Sequence, residues 1–259
     1  MSEKDGVKRD ASGAQTVERA LSLLKLVSDD SRPVPIGTLC EKTGLNRTTA
    51  YRLLSTMENC GFLERDPATK GYRLGYAASS MGMGAVKQYA PLVRAAEPVM
   101  RDLLEETQET IYLAVARYSG MLTIDQIDSR QAVRLKSYLD EVSPFYCSSN
   151  GKVYLSHLSD QEVAEILSAP LPRRTSHTVV DPEAIMADIR RVRKSGFAIV
   201  VSELDENESG ISVAIHDKGT AVAFLSVAGP TFRLTKDKML KLSPRLKEAA
   251  EEISRKLRP

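Results

Sequence analysis

Residues 39–74 constrain the fold more than any other part of this 259-residue chain. Apolar residues spaced i, i+3, i+4 from Ile36 predict a short helix that ends at Gly44, because glycine readily adopts the left-handed conformation that closes helices. Asn46 is a preferred helix N-cap, so a second helix should run over about 47–59. We therefore predict two short helices joined by a tight turn.

The second of these helices should have one apolar and one polar face. The apolar positions that share a face are Ala50, Leu53, Leu54 and Met57. The opposite face consists of Arg47, Thr48, Tyr51, Arg52 and Ser55. Arginine can make a bidentate contact with guanine, and hydroxyl groups can reach base edges or phosphates. A face of this composition is typical of a helix that reads the major groove of DNA.

A hairpin should follow the helix pair. Residues 62–65 and 72–74 have strand character on either side of the Pro- and Gly-containing stretch 66–71. Its basic residues are Arg65, Lys70 and Arg73. The whole predicts a winged helix-turn-helix, with the hairpin as a wing on the phosphate backbone. The alternative, an amphipathic helix pair with ordinary solvated charges, does not account for the agreement of turn, cap, face and hairpin.

Composition limits the class of protein. The chain is 42% hydrophobic, enough for two domain cores, and no apolar run approaches membrane-spanning length. Residues 1–14 are polar and predict a disordered tail, not a signal peptide. Three cysteines without paired spacing fit a reducing compartment, so we expect a cytoplasmic protein. Residues 1–90 carry 13 Lys and Arg against 10 Asp and Glu, whereas residues 91–259 carry 23 against 24.

An enzyme is the alternative that catalytic motifs would indicate. His157, His177 and His216 are scattered without metal-ligand spacing. Cys147 precedes Ser148, but no histidine lies in a motif that would activate it. The sequence contains no GxSxG, P-loop or dinucleotide fingerprint. We therefore expect no catalytic residue, no metal site and no cofactor.

The remaining sequence predicts an α+β domain around an antiparallel sheet. Helices are expected at 16–28, with Val17, Leu21, Leu24 and Val27 on one face, and at 91–106, 149–158, 160–168, 181–195 and 235–257. Strands are expected at 111–116, 121–127, 133–138, 197–202, 211–216 and 221–227, with a turn at Ser119-Gly120. The predicted organisation is a tail at 1–14, a DNA-binding domain at 15–75, a helical linker at 76–90 and a second domain at 91–259.

The order of motifs also resembles that of IclR-type transcriptional regulators, over about residues 15–255. The matching segments are 16–24, 43–54, 61–75, 96–100, 105–107, Pro144, 151–152, 181–184, 196–198 and 225–230. The resemblance implies a GAF-like effector-binding second domain. It also implies a homodimer or tetramer on a partly palindromic double-stranded DNA operator, with no membrane partner. The expected DNA-binding residues are Arg19, Arg47, Thr48, Thr49, Tyr51, Arg52, Arg65, Lys70 and Arg73.

A loop at 144–152 leads into a helix and is the expected effector site. N–H groups at the start of that helix can hold a carboxylate, although a simple N-capped helix explains the residues equally well without the resemblance. The resemblance favours a pocket. The expected effector-binding residues are Tyr138, Phe145, Tyr146, Cys147, Ser148, Ser149, Asn150, Gly151, Glu203, Ser212, Val213, Ser226 and Ala228.

Three aromatic residues in that set, Tyr138, Phe145 and Tyr146, favour a flat ligand such as an aromatic acid or amide. Each of them taken alone is better explained as an ordinary packing residue. We therefore expect a transcriptional regulator, and a repressor in particular, whose operator affinity depends on a small-molecule effector. The alternatives are a DNA-binding protein that responds to no ligand and, less well supported, an enzyme acting on a small molecule.

Overall fold

The computed structural model describes residues 5–117 and 120–257, without the side chains of residues 5–13 and 83–86. It divides into two compact units, Met1–Gln88 and Tyr89–Pro259. Among the described residues, none of the helices combines the length and the apolar character needed to cross a membrane.

The first unit contains three helices followed by a two-stranded ribbon. The elements are α1 Asp5–Ser28, α2 Ile36–Thr43, α3 Arg47–Asn59, β1 Leu63–Arg65 and β2 Tyr72–Leu74. The two strands pair antiparallel, and Val34 forms an additional bridge with Tyr72. Gly44 closes α2 with φ +68°, a conformation that a side chain would strain. The predicted helix pair and hairpin are confirmed.

The first helix differs from its prediction in length and in its buried face. It begins at Asp5, so the predicted tail is helical from that residue on, while residues 1–4 lie outside the described part. No proline interrupts the helix before Ser28. Leu23 and Val27 are buried, whereas Val17 and Leu21 are 58% and 59% exposed. The prediction holds for Val27, which is buried, and for Leu24, which packs against the same core. It fails for Val17 and Leu21, because the buried face is centred towards Leu23, which lies more than about 100° around the helix from both.

The second unit is built on a six-stranded antiparallel sheet. Its strands are β3 Thr110–Arg117, β4 Gly120–Ile127, β5 Val142–Ser143, β6 Ala198–Val201, β7 Glu208–Asp217 and β8 Thr220–Pro230, in the order β5-β4-β3-β8-β7-β6. Its helices are the C-terminal part of α4 Tyr76–Thr107, then α5 Ser149–Ser156, α6 Asp160–Leu167, α7 Pro182–Ser195 and α8 Lys236–Lys256. The predicted α+β class with an antiparallel sheet is confirmed.

Helix α4 runs through both the predicted linker at 76–90 and the helix predicted from residue 91. It therefore includes Gly82, Gly84 and Pro91 without a break in its assigned span. The boundary between the two units, at Gln88 and Tyr89, falls inside this helix. The domain limits drawn from the sequence remain predictions.

The sheet has helices on both faces. Ile111, Leu113 and Val115 of β3 pack in one core with α4 and α8, and Ala114 of the same strand packs in a second core with α5 and α7. This alternation follows from the two-residue period of a strand. Four helices of this unit have a side-chain N-cap: Ser148, Ser159, Asp181 and Thr235 each accept a backbone N–H of the first turn.

The predicted strand over 133–138 is absent, and residues 128–141 form an irregular stretch that we call the 128–141 segment. Its backbone is bonded in part by side chains rather than by a neighbouring strand: the Tyr138 N–H donates to Gln126 Oε1 at 2.8 Å, and the Val133 carbonyl accepts from Arg233. Alternation of residue types predicted a strand, but no partner strand pairs with it. The predicted turn residue Ser119 lies outside the described residues.

Candidate functional site

The polar face of α3 is exposed in the first unit. Asn46 Oδ1 accepts the Thr49 N–H at 2.8 Å, which satisfies one of the unpaired donors at the start of α3. Ala50 and Leu54 are fully buried, so the helix cannot turn over. Of the predicted polar face, Arg47, Thr48, Tyr51 and Arg52 are exposed and Ser55 is half-buried. The predicted apolar face of the helix is confirmed, and its contact with DNA remains a prediction.

Two predicted DNA-binding residues lie beside this face. Thr49 is half-buried and its amide is taken by the cap. Arg19 is exposed on α1. It lines an open groove of about 570 Å³ together with Lys25 and Lys42, so the groove carries positive charge.

The ribbon forms a tight, basic loop. Asp66 Oδ1 accepts both the backbone N–H and the hydroxyl of Thr69, at 2.7 and 2.8 Å, and these bonds lower the pKa of Asp66. Arg65, Lys70 and Arg73 are all exposed on it. Arg73 pairs with Glu64 at 3.2 Å, an exposed ion pair that contributes little stability and is easily exchanged for another anion.

In the second unit, a small cavity lies between the sheet, the start of α5 and the 128–141 segment; we call it the sheet cavity. Its free volume is about 40 Å³. It is lined by Tyr112, Met121, Thr123, Tyr138, Ser143, Ser148, Ser149, Asn150, Val200, Leu204, Glu208, Gly210, Ser226 and Ala228.

Six of the predicted effector-binding residues line this cavity: Tyr138, Ser148, Ser149, Asn150, Ser226 and Ala228. The Ser148 hydroxyl accepts the Gly151 N–H at 3.2 Å and donates to the Pro144 carbonyl at 2.7 Å. This cap fixes the start of α5 at the cavity wall. First-turn N–H groups of a helix have no partner within the helix, so a ligand acceptor can bind there.

A chain of hydroxyl groups attaches the start of α5 to the sheet. Ser212 on β7 is fully buried, and its hydroxyl lies 2.6 Å from that of Ser149 and 2.9 Å from that of Ser226. The Ser226 hydroxyl in turn contacts Asn150 Oδ1. Ser212 therefore holds cavity residues in place without being part of the lining.

Four other predicted residues do not line the cavity. Phe145 stacks on Tyr154 with ring centroids 4.9 Å apart, and the Tyr146 hydroxyl donates to the Pro172 carbonyl, so both belong to the core under α5 and α7. Val213 points into the opposite core, with α8. Gly151 lies against the Phe145 backbone, leaving no room for a Cβ atom, so its role is close packing.

Cys147 is fully buried in the core that contains Phe145. Burial raises the pKa of its thiol to about 11, so the sulfur is protonated near neutral pH and is a poor nucleophile. Within the described residues, no group of three or more His, Cys, Asp and Glu side chains is arranged to hold a metal ion.

Glu203, the acidic residue expected in the pocket, lies elsewhere. Its Oε1 is 2.5 Å from the Nζ of Lys152, which is itself 3.1 Å from Asp188 Oδ2. Both Lys152 and Glu203 are buried. Glu203 is therefore the counter-ion of a buried lysine, because an unpaired ammonium in the interior would cost several kcal/mol.

The carboxyl group in the cavity is that of Glu208, which sequence reasoning missed. Its Oε2 accepts the Tyr138 hydroxyl at 2.7 Å. Burial raises the pKa of Glu208 to about 7, although the Tyr138 hydroxyl opposes the shift. A signal was available: residues 208, 210 and 212 alternate onto one face of β7, and Ser212 had been predicted to face the pocket.

Tyr112 is the second polar residue that was missed. It is 5% exposed, and its hydroxyl makes no hydrogen bond of ordinary geometry within the described residues. Its ring meets that of Tyr138 edge-on, with centroids 6.0 Å apart. The cavity thus combines two aromatic rings, a half-buried carboxyl group, serine hydroxyls and a helix start.

Comparison with known proteins identifies the family. Residues 16–67 match the IclR helix-turn-helix domain, and residues 84–255 match the bacterial transcriptional regulator IclR C-terminal domain. The HTH-type transcriptional regulator KipR of Bacillus subtilis is 30% identical over 94% of this chain and 97% of its own length. The acetate operon repressor of Salmonella typhimurium is 29% identical over 93% of this chain and 89% of its own.

A solved structure agrees with both matches. The IclR homolog of Microbacterium hydrocarbonoxydans, complexed with 4-hydroxybenzoate, has a TM-score of 0.77 and 26% identity, and the alignment covers 94% of this chain and 99% of that one. The family and these relatives are transcriptional regulators, which supports the expectation that the chain is not an enzyme. Because two family models together match most of its length, the chain belongs to the IclR family of bacterial transcriptional regulators.

Proposed function

We propose that this regulator binds operator DNA through α3 and the β1–β2 ribbon, that it acts as a repressor, and that a small molecule in the sheet cavity controls its DNA affinity. The observation that carries the proposal is the exposed polar face of α3. Asn46 caps the start of this helix, and its opposite, apolar face is buried in the core of the first unit. The repressor role is supported by the Salmonella relative, which is named as a repressor.

The roles of the DNA-binding residues follow from their chemistry. Arg47 and Arg52 are one and a half turns apart on α3 and have the guanidinium fork that matches guanine. Thr48, Thr49 and Tyr51 can bond phosphates or base edges beside them. The remaining basic residues, Arg19, Arg65, Lys70 and Arg73, supply charge for the phosphate backbone.

We also propose that the protein works as a homodimer or as a tetramer. Two identical reading helices related by a two-fold axis require a partly palindromic operator, because each half-site must present the same bases to its helix. Since its target is chromosomal DNA in a bacterium, the regulator acts in the cytoplasm.

For the effector we propose an aromatic acid or amide. The ring of Tyr112 forms an apolar wall of the cavity together with Ala228 and Leu204. The first turn of α5, held in place by the Ser148 cap, offers backbone N–H donors for a carboxylate or carbonyl group. The Microbacterium relative, whose structure holds 4-hydroxybenzoate, supports this class of ligand. Phe145 and Tyr146 lie in the neighbouring core and do not contact the cavity.

The test is fluorescence anisotropy of the full-length protein on labelled DNA from the region upstream of its own gene, at fixed salt. A selection from random DNA runs in parallel. The proposal expects one enriched, partly palindromic motif and a change of its affinity by 4-hydroxybenzoate or a related acid or amide. The double variant Arg47→Ala/Arg52→Ala should lose the motif, whereas Arg190→Ala on α7 should keep it.

Two results would argue against parts of the proposal. Recovery of no motif, with equal affinity for all sequences, would remove the reading role of α3. A specific motif whose affinity no compound of the panel changes would favour the regulator that responds to no ligand. The two results are independent, because the selection itself contains no effector.

A further inference from the structure

The sheet cavity is closed by a side chain of the chain itself. Its free volume of about 40 Å³ is far below the roughly 300 Å³ at which small-molecule sites usually begin. Tyr138 fills the space: it is 8% exposed, and its hydroxyl donates to Glu208 at 2.7 Å. An aromatic effector therefore needs more room than Tyr138 leaves in this position.

Tyr138 lies in an otherwise exposed stretch of chain. Among residues 130–142 it is the one buried residue, since its neighbours are exposed or half-buried. The 128–141 segment is fastened at its start, where the Ser129 hydroxyl donates to the Gln108 carbonyl, and at its end, where the Asp140 N–H donates to the Thr123 carbonyl. Between these points Tyr138 is the main apolar anchor. Opening the segment therefore means withdrawing its ring and exchanging the two hydrogen bonds that Gln126 and Arg233 make to the backbone.

We propose that the Tyr138 phenol is an internal substitute for the effector, and that Glu208 selects effectors that carry a hydroxyl or N–H group to replace it. This proposal depends on the proposed function in one respect, namely that the sheet cavity is the effector site. The ligand class is an aromatic ring with a hydrogen-bond donor at one end and a carboxylate or carbonyl group at the other.

The donor is required by the burial of Glu208. A buried carboxyl group that loses its hydrogen-bond partner is strongly disfavoured, so a ligand that displaces the phenol without replacing its hydroxyl leaves an unsatisfied group. Burial already holds the pKa of Glu208 at about 7. A hydroxyl or N–H group from the ligand restores the lost bond, whereas a bare ring does not.

The other end of the ligand has its own partners. The Tyr112 hydroxyl is buried in the cavity wall without a hydrogen bond of ordinary geometry among the described residues, which marks a donor awaiting an acceptor. Ser149 and Asn150, at the first turn of α5, line the same space. An acceptor group of the ligand satisfies these donors, whereas Glu208 needs a donor, so the cavity selects for two different chemical groups.

The first experiment needs no knowledge of the natural effector. Tyr138→Ala removes the phenol, and the space should then bind p-cresol, the free equivalent of the lost side chain. Calorimetry on the full chain at pH 8 should show that p-cresol binds at least about tenfold more tightly than toluene. This is the factor expected when one ligand makes a hydrogen bond to a charged group and the other does not. Tyr138→Ala/Glu208→Leu should bind both alike, and Tyr138→Phe, whose ring still fills the space, should bind neither.

Equal binding of p-cresol and toluene by Tyr138→Ala, or binding of neither, would overturn the proposal. If Tyr138→Ala does not fold, Tyr138→Phe still tests the proposal, because it keeps the ring and loses only the hydroxyl. Its backbone amides in the 128–141 segment should exchange hydrogen at least severalfold faster than in the wild type. Tyr146→Phe, which also loses one hydroxyl hydrogen bond, is the matched control and should leave that segment unchanged. Unchanged exchange in Tyr138→Phe would equally contradict the proposal.

A second experiment connects the site with regulation. In the DNA-binding assay, 4-hydroxybenzoate should act at lower concentration than benzoate, and Tyr138→Phe should respond at several times lower concentration than the wild type, because its internal competitor is weaker. Equal potency of the two acids would contradict the role of Glu208. If the wild type binds no operator at all, the proposed function fails, while the p-cresol experiment still decides on Tyr138 and Glu208.

Discussion

At the scale of single residues, Glu208 gives a pH-dependent prediction. Desolvation by burial raises the pKa of Glu208 from 4.5 to about 7; Asp205 adds to the shift, and the Tyr138 hydroxyl and Lys136 oppose it. Between these pH values the folded state keeps a proton that the unfolded state has lost, so the free energy of unfolding falls as pH rises. Above pH 7 the loss is complete and amounts to roughly 3 kcal/mol.

Glu208→Gln cannot titrate and should not show this loss. The difference in stability between variant and wild type, measured by urea unfolding from pH 4.5 to 8, should rise in favour of the variant by roughly 3 kcal/mol. Glu206→Gln is the control: hydrogen bonds from Ser176 lower the pKa of exposed Glu206, so that variant should lose a little stability towards high pH. A flat difference for Glu208→Gln would show that its carboxyl group is not buried in solution.

The two arginines on α3 give a prediction about specificity. Replacing Arg47 or Arg52 by alanine should weaken operator binding by about 1–3 kcal/mol and relax the choice of base at one position. The measurement is affinity against a set of operators that differ at single base pairs. Arg190→Ala, a surface change on α7, should alter neither affinity nor base preference. An unaltered base preference in both α3 variants would place the reading residues elsewhere.

The residues of α3 could be predicted from sequence, and the acid in the sheet cavity could not, for one physical reason. The cap at Asn46 and the apolar stripe of α3 act within a single helix, so local spacing determines them. Residues 203–208 offer four acidic side chains with similar neighbours. Which one enters the cavity depends on the pairing of β7 with β8 and on Lys152, which takes Glu203. Both partners are distant in sequence.

At the scale of secondary structure elements, the start of α3 can be tested through its cap. Asn46→Ala removes the acceptor of the Thr49 N–H and should cost about 1 kcal/mol. Amides in the first turns of α3 should then exchange about fivefold faster in hydrogen-exchange measurements. Asn46→Asp keeps an acceptor, so its amides in the first turn should exchange at the wild-type rate. Asn59→Ala, at the far end of α3, should not change the exchange of these amides. Equal exchange in Asn46→Ala and wild type would contradict the cap.

The ribbon gives a prediction about salt dependence. If Arg65, Lys70 and Arg73 contact phosphates, each alanine variant should weaken binding to all sequences alike. Each should also reduce the slope of log affinity against log salt by about 0.9. Glu64→Gln should bind DNA slightly more tightly, because it frees Arg73 from an exposed ion pair. Variants that keep the wild-type slope would exclude the ribbon from the backbone contact.

Helices were predicted more accurately than strands, because the hydrogen bonds of a helix lie within one segment whereas those of a strand require a second segment. Capping residues such as Ser159 and Asp181 bond to their own helix, so α6 and α7 could be read locally. Residues 133–138 alternate as a strand does, yet a strand exists only where another pairs with it. The 128–141 segment instead supplies Tyr138 to the sheet cavity. The misread element is thus the one that carries the regulatory inference.

At the scale of the whole molecule, binding of DNA and binding of effector must be linked. If an effector changes operator affinity by some factor, operator DNA changes effector affinity by the same factor. The internal phenol of Tyr138 limits how tightly any effector binds, because part of the ligand's binding energy is used to open the cavity.

The proposed dimer predicts a strict dependence on operator geometry. Two recognition helices related by a two-fold axis need half-sites on the same side of the duplex, whose repeat is about 10 base pairs. Once the operator has been mapped by footprinting, an insertion of five base pairs between its half-sites turns one away by about half a turn. Binding should then fall to that of a single half-site, and a symmetric change in both half-sites should weaken binding more than the same change in one. Sedimentation of the free protein gives the accompanying control, a dimer or tetramer. A monomer that binds the interrupted and intact operators equally would refute the two-fold arrangement, and with it the reason for a palindromic site.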